Sequence, residues 1–599
     1  MRVPLALTLL PLVTFAVACA SQSAPRASDT FRAQLDEDWK YWMTQYPEVA
    51  TSLGYPGQNG RWTDYSQPAI DARDAYLTRS AERLSAIDRA QLPADDQLHY
   101  ALYRDLVDTA VQGLDFRYDA IPIRGVAPLI LLMPMNQMAG VQQSIPGTIA
   151  LMPSATREDY ENIVSRLEQV GPLVDQTIAL MEKGLAAGLT PPRITFRDVP
   201  AQVTAQVMPD PLQSPLLAAF KDWPAAVSAA DREALTSRAA AAYTKTVVPA
   251  FTRLHDFLVS RYLPGCRDTI GAGALPNGAA MYAYNVKWHT TTDRTPQQIH
   301  EIGLAEVKRL RGEMDRVIAA SGFKGTFADF VTFLRTSPRF YFTDAASLLT
   351  AYRDVAKRAD PELAHLFGRL PQNPYGVRAV PDAVAPSQTT AYYEAGSLAA
   401  ARPGFMFANT YKLDARPTWE MEALTLHEAV PGHHLQISLA QELQGLPEFR
   451  KNSSYTAYVE GWGLYAESLG EEMDFYTDPY SKFGQLTYEM WRAVRLVVDT
   501  GLHSMGWTRD QAIEFFKANA AKTELDIIVE VDRYIVWPGQ ALGYKIGQLK
   551  IRELRTAAEQ QLGSRFDVRQ FHDIVLGQGA LPLDVLEREV KAWIARKGT

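Results

Sequence analysis

Three of the ten histidines in this 599-residue chain fall within one short stretch, His427-Glu428-Ala429-Val430-Pro431-Gly432-His433-His434. Imidazoles beside a carboxylate can hold a divalent metal, leaving the carboxylate free as a base for a water nucleophile. The usual helical arrangement is His-Glu-x-x-His, because positions i and i+4 share a face and the Glu at i+1 reaches the water. The spacing here is different. In an unbroken helix His433 and His434 would be rotated from His427 by ~120° and ~20°, the latter ~10 Å further along the axis. Zn–N bonds of ~2.0–2.1 Å require ligand atoms within a few ångströms of one another, so the helix must be distorted between them. Pro431 supplies the cause: it has no N–H for the carbonyl of residue 427, and its ring crowds that turn. Gly432 then permits unusual backbone angles. Either His433 or His434 can thus return beside His427, with Glu428 as general base.

A third ligand is expected from Tyr458-Val459-Glu460-Gly461-Trp462. A carboxylate among aromatic and small residues is costly to bury without a partner, and a metal removes that cost. Glu460 is assigned as the ligand and Glu467, about two turns on, as a supporting carboxylate; the two assignments are interchangeable at this level. His/Glu ligation suits one zinc ion best among the common divalent metals.

These residues need helices to carry them. Residues 418–426 favour a helix with Glu420 and Glu422 near its positive end, and residues 455–469 form a second helical pattern. Apolar residues at three- and four-residue spacing recur in 31–46, 160–185 and 299–318. Thr295-Pro296-Gln297-Gln298 reads as a capping box with Pro at the first helical position, opening a helix to about Ala320 that Ser321-Gly322 ends. Strand signals are few, the best being residues 193–199 and 404–411. The expected fold class is mainly α, a large helical architecture with at most a small β-sheet. A cluster of breaks at Pro264-Gly265, 271–273 and Pro276-Asn277-Gly278 suggests an N-terminal helical lobe (30–275) and a catalytic helical lobe (276–599).

Hydrophobic residues at 47% and charged residues at 21% exclude long disorder. A net charge of -8 without a Lys/Arg run argues against nucleic acid as a partner. Met1-Arg2, an apolar run over 3–17 and the small residues Ala18, Cys19 and Ala20 form an export signal. Ala16-Val17-Ala18-Cys19 resembles a bacterial lipobox without its usual Leu. The reading is a signal peptide over 1–18, then a lipidated Cys19 and tether over 19–29, anchoring the protein in the bacterial envelope, facing the periplasm, at the outer membrane. Ordinary cleavage giving a soluble periplasmic protein is the alternative. Cys266 has no surrounding His or carboxylate pattern and is read as a bystander thiol.

At the motif the chain resembles the large bacterial family called domain of unknown function 885, which groups with the zincin metallopeptidases. The likeness rests on His427-Glu428-x-x-Pro431-Gly432-His433-His434-Leu435-Gln436, Glu460-Gly461-Trp462, Arg533-Tyr534 and Pro538-Gly539-Gln540, with His289-Thr290-Thr291, Thr295-Pro296 and Arg402-Pro403-Gly404. The resemblance implies a zincin-like helical fold with a deep central cleft, similar in plan to thimet oligopeptidase-like enzymes. A Gly directly before the second ligand is common in zincins and favours His433. The likeness also brings Arg533 and Tyr534 to the site as donors to a tetrahedral oxyanion, while His289 reads as a structural histidine.

Gln540 and Tyr544 are expected to line the cleft. Arg492 and Arg495 share a helix with Glu489 and Asp499 and serve either a peptide carboxylate or internal salt bridges. Residues 404–411 could act as an edge strand for an extended peptide. Together these readings describe a zinc-dependent hydrolase of peptide bonds. The alternatives are a zinc amidohydrolase acting on a non-peptide or cell-wall amide, and a non-catalytic peptide-binding envelope lipoprotein.

Overall fold

Local signals for helix dominate the chain, and the computed structural model is 69% helical. It describes residues 26–598 except 383, 384, 386, 387 and 397–401. The signal peptide and Cys19 lie outside the described residues. The first helix starts at Ala27, so residues 27–29, at the end of the stretch read as a tether, are helical.

The capping box at Thr295 forms as its sequence requires. The Thr295 hydroxyl accepts from the Gln298 N–H, and the Gln298 side chain accepts from the Thr295 N–H. The helix Pro296–Ala320 follows, and Gly322 takes a positive φ of 76° just beyond it. The 160–185 pattern divides into Arg157–Glu168 and Val170–Ala187. One expectation is corrected: residues 193–199 form no strand, because Arg193–Phe196 is a short helix and Val199–Thr204 another. The β-branched residues that suggested a strand are used there in helical turns packed on a core, where burial outweighs a weak propensity.

The small sheet has the order β1 (Tyr375–Ala379), β3 (Gly404–Ala408), β2 (Ala391–Glu394). β1 pairs parallel to β3 and β2 antiparallel to it. β3 is therefore the central strand, and the edge role expected for 404–411 is corrected, since both of its sides are already hydrogen-bonded.

Among the described residues three large hydrophobic cores and two smaller clusters hold the helices. One lies among residues between Trp62 and Cys266, and another between Val307 and Ala541. The largest draws on both ends of the chain, from Phe31 to Ile594, and includes Leu424, Leu426, Tyr458 and Trp462 around the motif. Cys266 is buried in the first of these, and burial pushes its thiol up to about 12, as suits an unreactive side chain. Among the described residues no helix is long and apolar enough to cross a membrane.

Two packing relations position the site. The helix Thr456–Leu469, which carries Glu460, lies against Gly543–Leu562 with backbones nearly touching. A Cβ on Gly461 would come within 2.5 Å of the Gly547 Cα, and one on Gly547 within 1.7 Å of the Ala457 carbonyl oxygen, so only glycine allows this approach. The second relation centres on Pro479–Ser504, a 26-residue helix buried on nearly every side, which packs along Pro296–Ala320 and against the motif helix. A helix buried all round is normally apolar. This one buries Glu489, Arg492, Arg495, Asp499 and His503, each of which must find a partner.

Candidate metal centre

The motif helix spans Met421–Glu428 and stops where the sequence breaks it. The Ala429 N–H still bonds the Thr425 carbonyl at 2.8 Å. The backbone then leaves helical angles at Ala429 (φ -96°, ψ -114°), and after residues 430–432 a new helix runs from His433 to Gln441. Gly432 passes so close to the end of the first helix that a Cβ would sit 1.9 Å from the His427 carbonyl oxygen. A side chain there would push the second histidine away. The Trp462 indole N–H donates to the Pro431 carbonyl at 2.9 Å, tying this loop to the Glu460 helix.

The break has the consequence anticipated for it. The rings of His427 and His433 stand 4.7 Å apart and almost perpendicular, at 89°. The Glu460 Oε2 lies 3.7 Å from the Nε2 of His427 and 3.5 Å from that of His433. Ligand atoms from His427, His433 and Glu460 all fall within 4.8 Å of one another. Two atoms bound ~2.0–2.1 Å from one ion at a tetrahedral angle are ~3.3–3.5 Å apart. The separations are therefore slightly long for direct hydrogen bonds and close to those of ligands sharing an ion, so the donor set fits a metal of the zinc type.

Glu467 supports this set. It is buried, and its Oε1 lies 2.8 Å from the Nδ1 of His427, fixing that ring with Nε2 directed to the centre. Gly463 leaves room for the ring, since a Cβ there would be 2.7 Å from the His427 Cε1. The electrostatics follow from crowding. Burial alone would lower the His427 pKa, but the adjacent Glu460 carboxylate and the hydrogen bond to Glu467 reverse this and raise it to about 10. Glu460 is held well below its usual range by His427 and His433 despite burial. Burial raises the Glu428 pKa, with the charges of His427, His433 and Arg492 opposing the rise. A carboxyl so placed holds a proton more readily than a free one, the direction a general base that must also return its proton requires.

His434, retained from the sequence as an alternative ligand, is corrected. It is buried on the other side of the helix, its Nδ1 2.9 Å from the Tyr393 hydroxyl and 3.3 Å from that of Ser438, with the Tyr375 ring 4.6 Å away. Burial pushes its pKa down to about 4, and it joins the helix to the sheet. His289 lies against Thr456, its Nδ1 3.2 Å from the hydroxyl, as befits a structural histidine.

The other expected residues gather in a second cluster. Arg533 donates to the Gln540 side chain at 2.7 Å and to the Tyr544 hydroxyl at 3.4 Å. Tyr534 is buried, its hydroxyl accepting from Arg495 at 2.9 Å and from the Trp491 indole at 3.1 Å, and it is also hydrogen-bonded to Glu530. That hydroxyl is committed within the cluster, so its expected part as a free oxyanion donor is corrected. Arg492 links the two groups, since its charge acts on both Glu428 and Glu530. Sequence reasoning missed Glu530 and Trp491. The i,i+3 spacing of Glu530 and Arg533 was a readable signal for the first; nothing local marked the second.

Two outcomes are expected of the isolated protein. Glu467→Gln should weaken zinc binding roughly 10–100-fold, read by competition with a chromophoric chelator; unchanged affinity would remove the orienting role. In the metal-free protein, His427 gains a proton affinity on folding. Its stabilising contribution should be complete below its unfolded value near 6.5 and should fade as pH rises through about 10. Zinc affinity should climb across the same window, because the ion displaces that proton. Thermal melting and zinc titration from pH 6 to pH 10 check both signs.

A crystal structure of a candidate lipoprotein from Colwellia psychrerythraea is similar to this chain over 95% of its length and 100% of the other, with 29% identity and a TM-score of 0.87. A candidate lipoprotein of unknown function from Shewanella oneidensis is similar over 93% and 99% of the two chains, at 16% identity and a TM-score of 0.72, which is a likeness of fold. No curated protein sequence matches the chain. The model of the family described as bacterial protein of unknown function DUF885 matches residues 47–590, and with the motif residues all inside that span the chain belongs to this family.

Proposed function

We propose that the protein is a zinc-dependent peptidase of the bacterial cell envelope. The observation that carries this reading is the convergence of His427, His433 and Glu460 within 4.8 Å, from two sides of a broken helix and from its neighbour, with Glu428 beside them. His427, His433 and Glu460 would hold the ion, and Glu467 would orient His427. When bound, zinc supplies Lewis acidity for the scissile carbonyl and for a water nucleophile. Glu428 takes the proton of that water and delivers it to the leaving amine. Its raised pKa suits both halves of this transfer. His433 and Glu460 are partly exposed, which gives solvent and substrate a way to the donor atoms.

The reading is tested by digesting a peptide library with zinc-loaded wild type and with Glu428→Gln. The variant should keep its zinc and lose roughly 10²–10⁴ of turnover. Full activity in the variant would exclude Glu428 as the base, and zinc-loaded wild type that cuts no peptide would exclude a peptidase.

An envelope location is supported by the two candidate lipoproteins and by Ala16-Val17-Ala18-Cys19. We propose that Cys19 is the mature, lipid-bearing N-terminus. Intact-mass measurement after expression in a bacterial host should give a lipid-modified N-terminal cysteine; an unmodified N-terminus would assign a soluble periplasmic protein.

A further inference from the structure

The charges on the buried helix Pro479–Ser504 can be balanced one by one. Glu489 meets Lys545 at 2.7 Å and Arg309 at 2.8 Å. Asp499 accepts from the Tyr282 hydroxyl and from the Gly539 N–H. His503 sits between the Ala272 N–H and the Tyr534 carbonyl. Arg495 pairs with Glu530 at 3.0 Å. Arg492 is the exception. It is 6% exposed, yet among the described residues no carboxylate lies within ion-pair distance of it, and its one hydrogen bond is a long contact of 3.4 Å to the Tyr488 carbonyl.

Its surroundings deepen the imbalance. Glu530 is shared by Arg495 and, at 3.4 Å, by Arg533. The Nε of Arg492, an Nη of Arg495 and the Nε of Arg533 are all buried without a partner. Lys522, on the same aromatic pair Tyr488 and Trp491, is already neutralised by Glu420. Arg495 and Arg533 thus share the single carboxylate of Glu530, while Arg492 acts on Glu530 and Glu428 only at longer range. Burying an unpaired guanidinium is strongly unfavourable, so an arrangement of this kind is stable in a site that receives an anion.

The shape of the patch narrows the choice of anion. Tyr488 and Trp491 lie 4.8 and 4.9 Å from the Arg492 guanidinium carbon, and Tyr544 4.5 Å from that of Arg495. Aromatic planes around the guanidiniums leave the N–H edges as the available contact, which matches the planar, two-oxygen face of a carboxylate. One excess positive charge matches one such group.

We infer that the buried patch formed by Arg492 with Arg495 and Arg533 binds the free α-carboxylate of a peptide, so that the site acts at the C-terminal end of its substrate. The inference rests on the peptidase reading for its position beside Glu428. It would place the last residue or last few residues of the peptide between the arginines and the metal centre, and the chemistry would release short C-terminal fragments.

The test pairs N-acetylated peptides of one sequence, ending in a free acid or in an amide, and includes an amide peptide bearing an added penultimate Glu. Cleavage by zinc-loaded wild type and Arg492→Gln is followed by mass spectrometry. Binding to the Glu428→Gln protein is followed by calorimetry. The acid should be preferred over the amide by roughly 10–100-fold in kcat/KM and in affinity, with cuts near the C-terminus, and Arg492→Gln should erase most of the preference through KM. Equal handling of acid and amide overturns the inference while leaving a peptidase intact. Restoration by the Glu side chain also overturns it, assigning the patch to acidic side chains. Preferential binding of the acid without cleavage keeps the carboxylate site and removes the peptidase; no binding of any peptide removes both. Should Arg492→Gln fail to fold, the acid and amide comparison on wild type decides alone.

Discussion

Three carboxylates, Glu428, Glu460 and Glu467, converge on the imidazoles of His427 and His433 in a region from which water is largely removed. Such a concentration of negative charge tolerates only arrangements in which each oxygen has a cation or a donor. One oxygen of Glu467 meets this through His427 while its other oxygen stays buried without a partner, and Glu460 lies against both imidazoles. The separations left between Glu460 and the two Nε2 atoms are those that a shared ion would close. The helix break, the loop tied by Trp462 and the glycine contacts all serve to keep these five side chains at one point.

The break itself depends on small atoms in specific places. Pro431 ends the hydrogen-bond ladder, and Gly432 lets the following helix begin almost in contact with the preceding carbonyls. The Glu460 helix reaches the same point because Gly461 and Gly547 let two backbones approach without side chains between them. His434, one residue further along, is carried to the opposite side by the helical rotation and spends its ring on Tyr393 and Ser438. Adjacent histidines thus have separate tasks, one in the candidate centre and one fastening the small sheet.

The arginine patch obeys the same electrostatic rule with the opposite sign. Glu489 and Asp499 share the helix with Arg492 and Arg495, yet each is satisfied elsewhere, by Lys545 with Arg309 and by Tyr282 with Gly539. What remains is positive charge next to a candidate hydrolytic centre, and that proximity ties the substrate inference to the metal reading.

Much of the helical content was legible from sequence, because capping at Thr295, the stop at Gly322 and the apolar periodicity around 299–318 are local effects written in neighbouring residues. The need for a distorted helix after Glu428 was legible too, since histidines six and seven residues on cannot face one ion from a straight helix. The strand expected at 193–199 failed because weak local propensity yielded to packing. The choice between His433 and His434, the central place of β3 and the commitment of the Tyr534 hydroxyl to Arg495, Trp491 and Glu530 depended on tertiary contacts. The sequence by itself determined which side chains were available and where the helix had to break, as these follow from covalent geometry and hydrogen bonding within a few residues. Only the tertiary structure decided which charges meet and which stay unpaired, because partners such as Glu467 for His427 and Lys545 for Glu489 are brought together by packing across tens of residues.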